Sequence, residues 1–213
     1  MGQPKQFLAL AGQTILARTI AVFEQANSID EIILVVNQDD IDRARQIRSK
    51  KLKQIVAGGK ERQDSVFNGL QALPADTDIV AIHDGARPLV TVEIIERAIA
   101  EAEKFGAIVV GVPVVDTIKK VVSSKQLVES SERRVEETLD RSLLWAAQTP
   151  QIFKKEIIVK AYSQKDQHKV TDDAMLVEKL GIPVKMVMGS YHNIKITSPA
   201  DLMIAEAILK EGK

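Results

Sequence analysis

The 213-residue chain has no cysteine, only three histidines and no formal net charge, and each shortage removes a class of function. Without cysteine there is no disulfide framework, no thiolate nucleophile and no Cys-ligated zinc, and three scattered histidines argue against a His-rich metal centre. With 29 Lys+Arg against 29 Asp+Glu there is no bulk field to hold nucleic acid or an anionic membrane. Any phosphate chemistry must therefore come from a local cluster of cations. No apolar run approaches the roughly 18 residues of a spanning helix, and the start of the chain lacks the charged-then-apolar order of a signal peptide. A cytoplasmic protein that binds neither nucleic acid nor membrane is expected. Neither G-x-G-x-x-G nor G-x-x-x-x-G-K-[ST] occurs, so a dinucleotide fingerprint and a P-loop have no support.

What is present, 45% hydrophobic and 27% charged residues, is the profile of one ordinary globular domain, taken as residues 1–213. Helical and strand-like apolar segments alternate along it. A period-3.6 stretch from Thr14 to Ala26 precedes the β-branched run Ile32 to Val36. Asp39 to Lys51 reads as a helix, with Ile41, Ala44, Ile47 and Leu52 on one face, and Gln54 to Ala57 as a strand ending at Gly58-Gly59. Glu61 to Leu73 is helical, Asp78 to Ile82 a strand, Thr91 to Phe105 a helix and Ala107 to Val112 a strand. Such alternation implies βαβ units, and strands that are apolar throughout must be covered on both faces. The expected fold is therefore α/β: a Rossmann-like, doubly wound, mostly parallel sheet with helices on both faces. Ligands in such sheets bind beyond the carboxyl ends of strands, which directs attention to Gly58-Gly59 and to His83 through Pro88.

One stretch departs from the alternation. Residues 116–141 are polar and charged, with Thr117 to Val122 and Arg134 to Leu139 reading as two strands around a Ser-rich turn. The reading is a projecting β-arm. A hairpin so poor in large apolar side chains does not stabilise itself, which makes it a candidate homodimerisation element.

Several short motifs carry chemical side chains. Two glycines between a strand and a helix let backbone amides approach a planar or anionic ligand, and Ser65 adds a hydroxyl from the first helical turn. Asp84 and Arg87, three residues apart at a strand end, suit a metal or sugar hydroxyl and a phosphate respectively; they read equally as a loop-shaping ion pair. Gln148-Thr149-Pro150-Gln151 reads as a Pro-stiffened turn, and Thr171-Asp172-Asp173 as a helix cap. Asn193 to Thr197 reads as a short alternating strand carrying Lys195. Taken singly, Lys5 and Lys195 are ordinary surface lysines.

In combination and in order, these motifs resemble the 2-C-methyl-D-erythritol 4-phosphate cytidylyltransferase family. The matching signatures are Pro4-Lys5-Gln6-Phe7-Leu8, Gly58-Gly59-x-Glu61-Arg62-x-x-Ser65-Val66, His83-Asp84-x-Ala86-Arg87-Pro88, Asp116-Thr117-Ile118-Lys119, Thr138-Leu139-Asp140-Arg141-x-x-Leu144-Trp145, Gln148-Thr149-Pro150-Gln151, Thr171-Asp172-Asp173 and Asn193-Ile194-Lys195-Ile196-Thr197. The resemblance implies attack of the phosphate of methylerythritol 4-phosphate on the α-phosphorus of CTP, with Mg²⁺ as cofactor. It implies catalytic roles for Lys5 and Lys195 and nucleotide binding by Gly58, Gly59 and Ser65. Asp84, Arg87, Thr117, Thr149 and Thr171 would serve the polyol phosphate, with Asp84 close to the metal. Arg141 would reach the substrate of a neighbouring subunit.

Relative to the family pattern, the strand and Gly-rich loop that precede Met-Gly are missing before Met1-Gly2, so weak activity and reduced solubility are expected. The segment from Val121 to Arg134 is longer and more charged than the usual arm. Ribitol 5-phosphate as acceptor, or a non-catalytic CTP-binding dimer, are the rival readings.

Overall fold

The computed structural model describes residues 4–122, 133–164 and 170–211. A 3-10 turn at Lys5–Phe7 leads into the small antiparallel pair β1 (Ala9–Leu10) and β2 (Gln13–Thr14), then α1 (Ile15–Gln25). There follow β3 (Ile32–Val36), α2 (Ile41–Ala44), β4 (Leu52–Ala57), α3 (Arg62–Gln71), β5 (Ile79–Ile82), α4 (Val92–Phe105) and β6 (Ala107–Pro113). The arm strands are β7 (Lys119–Val121) and β8 (Val135–Thr138). The remaining elements are β9 (Trp145–Lys154), α5 (Lys155–Ser163), α6 (Ala174–Lys179), β10 (Lys185–Met188) and α7 (Pro199–Glu211).

Local chemistry explains the helix starts. Thr14 Oγ1 accepts from Ala17 N at 3.2 Å and Thr91 Oγ1 from Ile94 N at 3.3 Å, each satisfying an orphan amide of the first turn. At α3 the Asp64 carboxylate accepts from Glu61 N at 3.0 Å, half of a reciprocal capping box.

The main sheet has the order β10-β6-β9-β5, and β3 pairs with β4 in a separate parallel ribbon. Both faces of the main sheet are covered, and alternate residues of one strand show it. Ile108 and Val110 of β6 pack with Ile94, Ile95 and Ala98 of α4, while Ala107 and Val109 join Ile158 of α5 and Val177 of α6. On β9, Ile152 faces the first layer and Phe153 the second. This is the α/β architecture expected from strands apolar at every position.

Several details differ from the sequence reading. The main sheet carries one reversed strand: β5, β6 and β10 run the same way, and β9 between β6 and β5 runs antiparallel to both. Gln148-Thr149-Pro150-Gln151 is not a turn; it lies within β9, with a cis Thr149-Pro150 bond, and all four residues are buried. Asn193 to Thr197 forms no strand, since its backbone contact to the core is one hydrogen bond from Ile196 N to Ala86 O at 2.8 Å. The expected helix over 39–51 is reduced to α2, after which Gln46 N and Ile47 N bond back only three residues, and Leu52 already begins β4. Thr171 is exposed, and the capping contact before α6 comes from Asp172, whose Oδ1 accepts from Met175 N at 3.0 Å. The arm strands pair as expected, Lys119 opposite Thr138, while their Ser-rich centre and Met1-Gly2 lie outside the described residues.

Candidate active site

The carboxyl end of β5 carries His83 and Asp84, and three cations from distant parts of the chain converge on Asp84. Lys195 Nζ lies 2.9 Å from Oδ2, Arg87 Nε 3.5 Å from the same oxygen, and Arg62 Nε 3.3 Å from Oδ1. Each is delivered by a backbone device. Arg62 is the first residue of α3, aimed across by the turn after β4. Arg87 follows the turn in which Arg87 N bonds Asp84 O at 2.9 Å. Lys195 is held over the site because Ile196 N donates to Ala86 O and Arg87 Nη1 donates to Asn193 O, both at 2.8 Å.

The electrostatics follow from this geometry. Burial by itself pushes the Asp84 carboxyl up, but the hydrogen bond and charge of Lys195, with the charges of Arg62 and Arg87, outweigh it and hold the group at about 2. Burial dominates for Arg87 and pulls its guanidinium down despite Asp84. Arg62 goes the other way: burial opposes its charge, yet Asp173 and Asp84 together raise it.

Behind Asp84 runs a closed chain of hydrogen bonds. Asp84 N donates to Thr149 Oγ1 at 3.0 Å, Thr149 Oγ1 lies 3.1 Å from His83 Nδ1, and His83 Nε2 lies 3.1 Å from Arg87 O. A carbonyl only accepts, so Nε2 carries the proton, and Nδ1 of the neutral ring accepts from the Thr149 hydroxyl. Burial pushes the His83 ring down to about 4, in keeping with a neutral tautomer packed 4.8 Å from the Phe23 ring.

A second network supports Arg62 from below. Its Nη2 is 2.7 Å from Asp173 Oδ2, and the Asp173 side chain is wholly inaccessible. Tyr162 OH donates to Asp173 Oδ1 at 2.5 Å, while Gln151 Oε1 accepts from Asp173 N and Ala174 N at 3.1 and 3.0 Å. Burial and the Asp173 charge raise Tyr162 well above the phenolic range, so it remains a donor.

The glycine turn has a steric reason. A Cβ at Gly59 would stand 2.1 Å from Asp64 Cβ, and one at Gly58 would stand 2.7 Å from Ser65 Oγ. Only glycine lets the first turn of α3 come this close. Ser65 Oγ accepts from Gly59 N and donates to Glu61 O, both at 3.1 Å, so it knits the turn it was expected to serve.

Of the sequence-derived candidates, the fold therefore brings Asp84, Arg87, Thr149 and Lys195 together and places Gly58, Gly59 and Ser65 in the turn that delivers Arg62. Lys5 stands in the 3-10 turn before Phe7, and among the described residues it makes no ion pair with Asp84. Thr117 is exposed before β7, and Arg141 is exposed with Nη1 donating to Val115 O at 2.6 Å. Both lie outside the Asp84 network. Two open grooves, about 440 Å³ beside Thr14 and Arg43 and about 650 Å³ beside Asp78 and Lys155, also lie outside it. Sequence reasoning did not single out Arg62, Tyr162, Gln151 or Asp173 as site residues. Arg62, Gln151 and Asp173 stand within the matching signatures; for Tyr162, on the helical face of α5, no sequence signal pointed to a buried carboxylate.

A carboxylate ringed by cations at a strand's carboxyl end suits chemistry between phosphates, and known proteins bear on which chemistry. The family model described as "IspD: 2-C-methyl-D-erythritol 4-phosphate cytidylyltransferase" matches residues 1–211. The chain belongs to this family. The 2-C-methyl-D-erythritol 4-phosphate cytidylyltransferase of Clostridioides difficile (strain 630) is 50% identical over 216 residues, covering 98% of this chain and 87% of that protein. The bifunctional enzyme IspD/IspF of Desulfotalea psychrophila is 44% identical over 213 residues, which take in 99% of this chain and 53% of that one. Among solved structures, the 4-diphosphocytidyl-2C-methyl-D-erythritol synthase of Anaerococcus prevotii superposes with a TM-score of 0.87 at 32% identity, covering 98% of this chain and 91% of the other. No helix among the described residues is long and apolar enough to cross a membrane.

Proposed function

We propose that this cytidylyltransferase-family chain joins CTP to 2-C-methyl-D-erythritol 4-phosphate. A phosphate oxygen of the sugar alcohol attacks the α-phosphorus, the bond from α-phosphorus to the β-phosphate bridge breaks, and pyrophosphate leaves. The observation that carries this reading is the convergence of Lys195, Arg87 and Arg62 on Asp84. An anion approaching a polyanion needs fixed positive charge more than it needs a base, because the attacking phosphate is already ionised.

Within this reading Lys195 stabilises the charge that builds on the α-phosphate, and Lys5 joins it when the nucleotide is seated. Asp84 orients a polyol hydroxyl and Arg87 grips the polyol phosphate. Thr149 acts from behind, through the Asp84 backbone, and Thr171 buttresses the same wall. The backbone of the Gly58-Gly59 turn, which Ser65 braces, lies against the cytosine and ribose. Thr117 and Arg141 complete the site of a neighbouring subunit, so the working unit is a homodimer joined through the arm. Support for a joined surface comes from Leu143, Val115 and Val135, which are 79%, 60% and 57% exposed around the arm. The enzyme is placed in the cytoplasm, where nucleoside triphosphates are made.

Mg²⁺ belongs to this chemistry as a partner of the triphosphate. Among the described residues no group of three or more His, Cys, Asp or Glu side chains is arranged to hold a metal, and Asp84 already faces three cations. Asp84 therefore does not fit a protein-held metal, and the ion is assigned to the phosphates of CTP.

The test is pyrophosphate release from CTP with either methylerythritol 4-phosphate or ribitol 5-phosphate. Turnover with the former is expected. Exclusive use of the latter would overturn the substrate, and calorimetric CTP binding without pyrophosphate release would overturn the activity.

A further inference from the structure

Each oxygen of the Asp84 carboxylate has its own set of cationic partners. Among the described residues the contacts of Oδ2 are with Lys195 and Arg87, and that of Oδ1 is with Arg62. The rotation of the carboxylate therefore depends on Arg62, whose side chain remains 36% accessible on its outer side. Arg62 is in turn fixed by Asp173, 111 residues away in sequence, and Asp173 is clamped by the Tyr162 hydroxyl and by Gln151 through its backbone. The guanidinium fork spans two carboxylates with two different nitrogens, Nε to Asp84 and Nη2 to Asp173, a geometry that an ammonium does not reproduce.

We propose that Arg62 is a positioning residue, which sets the orientation of the Asp84 carboxylate toward the polyol by bridging it to the buried Asp173–Tyr162 pair. Arg62 acts through Asp84 and not on the reacting atoms. This inference rests on the reading of Asp84 as the group that orients the polyol. Losing the bridge misaligns the acceptor more than it weakens nucleotide binding, so the effect falls on kcat.

The test uses Arg62→Lys and Tyr162→Phe in the full chain, assayed with whichever polyol phosphate the wild type accepts. Rejection of methylerythritol phosphate by the wild type would then sink the substrate assignment while leaving the comparison of variants intact. Arg62→Lys keeps a cation against Asp173 and is expected to lower kcat by about 10- to 100-fold, with the KM for CTP within about threefold of wild type. Tyr162→Phe leaves every charge in place and is expected to lower kcat by about three- to tenfold in the same direction. If kcat of the folded protein is unchanged in both variants while the melting temperature falls, Arg62 is only a structural tie and the proposal is overturned. A rise in the KM for CTP with kcat intact would overturn it as well, by placing Arg62 on the nucleotide.

Discussion

The Asp84 cluster and the base of the arm are both built from polar residues, yet they are finished to different degrees. Around Asp84, carboxylate, amide, hydroxyl and imidazole all find partners within one chain, drawn from positions 62, 83, 87, 149 and 195. At the arm, Thr117 and Arg141 stand exposed beside the exposed apolar side chains of Leu143 and Val115. A group that is rigid before substrate arrives can orient it; an arginine at the surface gains such rigidity only when another surface meets it. The first region thus supplies geometry, and on the proposed dimeric reading the second supplies contacts that depend on assembly.

The largest effect expected from separating the two is that of Lys195→Ala. It removes both the nearest partner of Asp84 and the proposed α-phosphate cation, so kcat should fall by about 10²- to 10³-fold in pyrophosphate release. Arg141→Ala should cost about 10- to 100-fold. Its defect should also be complementable: mixing it with Lys195→Ala subunits should restore about a quarter of the wild-type rate, since half the dimers then carry one intact site. No recovery on mixing would place Arg141 in the site of its own subunit. Thr149→Val breaks the chain behind Asp84, leaving the Asp84 amide and His83 Nδ1 without their partner, and should lower urea-unfolding stability by about 1–3 kcal/mol.

His83 gives that chain a pH signature. Its folded value is depressed to about 4 from 6.5, so between these two pH values the unfolded chain binds the extra proton. Stability should therefore fall as pH drops through this window, by up to about 1.4 kcal/mol per pH unit from this group, and His83→Asn should flatten the slope in urea titrations. Asp84 acts lower still: its stabilisation is present above 3.8 and is lost as pH falls through about 2. The smallest change is expected at the arm, where Lys120 and Glu136 form an exposed ion pair at 3.3 Å. Lys120→Ala should alter stability by less than about 0.5 kcal/mol.

The parts legible in the sequence are those with one dominant physical cause. The apolar runs of β3, β5 and β6, the Gly58-Gly59 turn and the Thr91 cap each follow from burial, sterics or an orphan amide. β9 was hidden because its polar residues satisfy themselves at a distance: Gln148 Nε2 donates to Ser190 O at 2.8 Å and Gln151 Nε2 to Asp172 Oδ2 at 3.0 Å. A run containing proline and three such side chains looks like a turn until those partners are known. Asn193 to Thr197 misled in the opposite sense. Ile196 is buried and the alternation is real, but the segment docks by side chains and one backbone bond rather than by a ladder. For the site, Asp84 and Arg87 could be nominated from a local motif and Lys195 from the family resemblance, whereas Arg62 needed its tie to Asp173 across 111 residues.

The committed proton of Thr149 bears on how competing molecules should be made. Its proton already goes to the imidazole of His83 and a lone pair already receives the amide of Asp84. An inhibitor that asks this threonine to donate would have to break its bond to His83. A compact dianion would instead meet the Lys195 side chain, which is 38% exposed beside its carboxylate, and that is where synthetic effort is better directed.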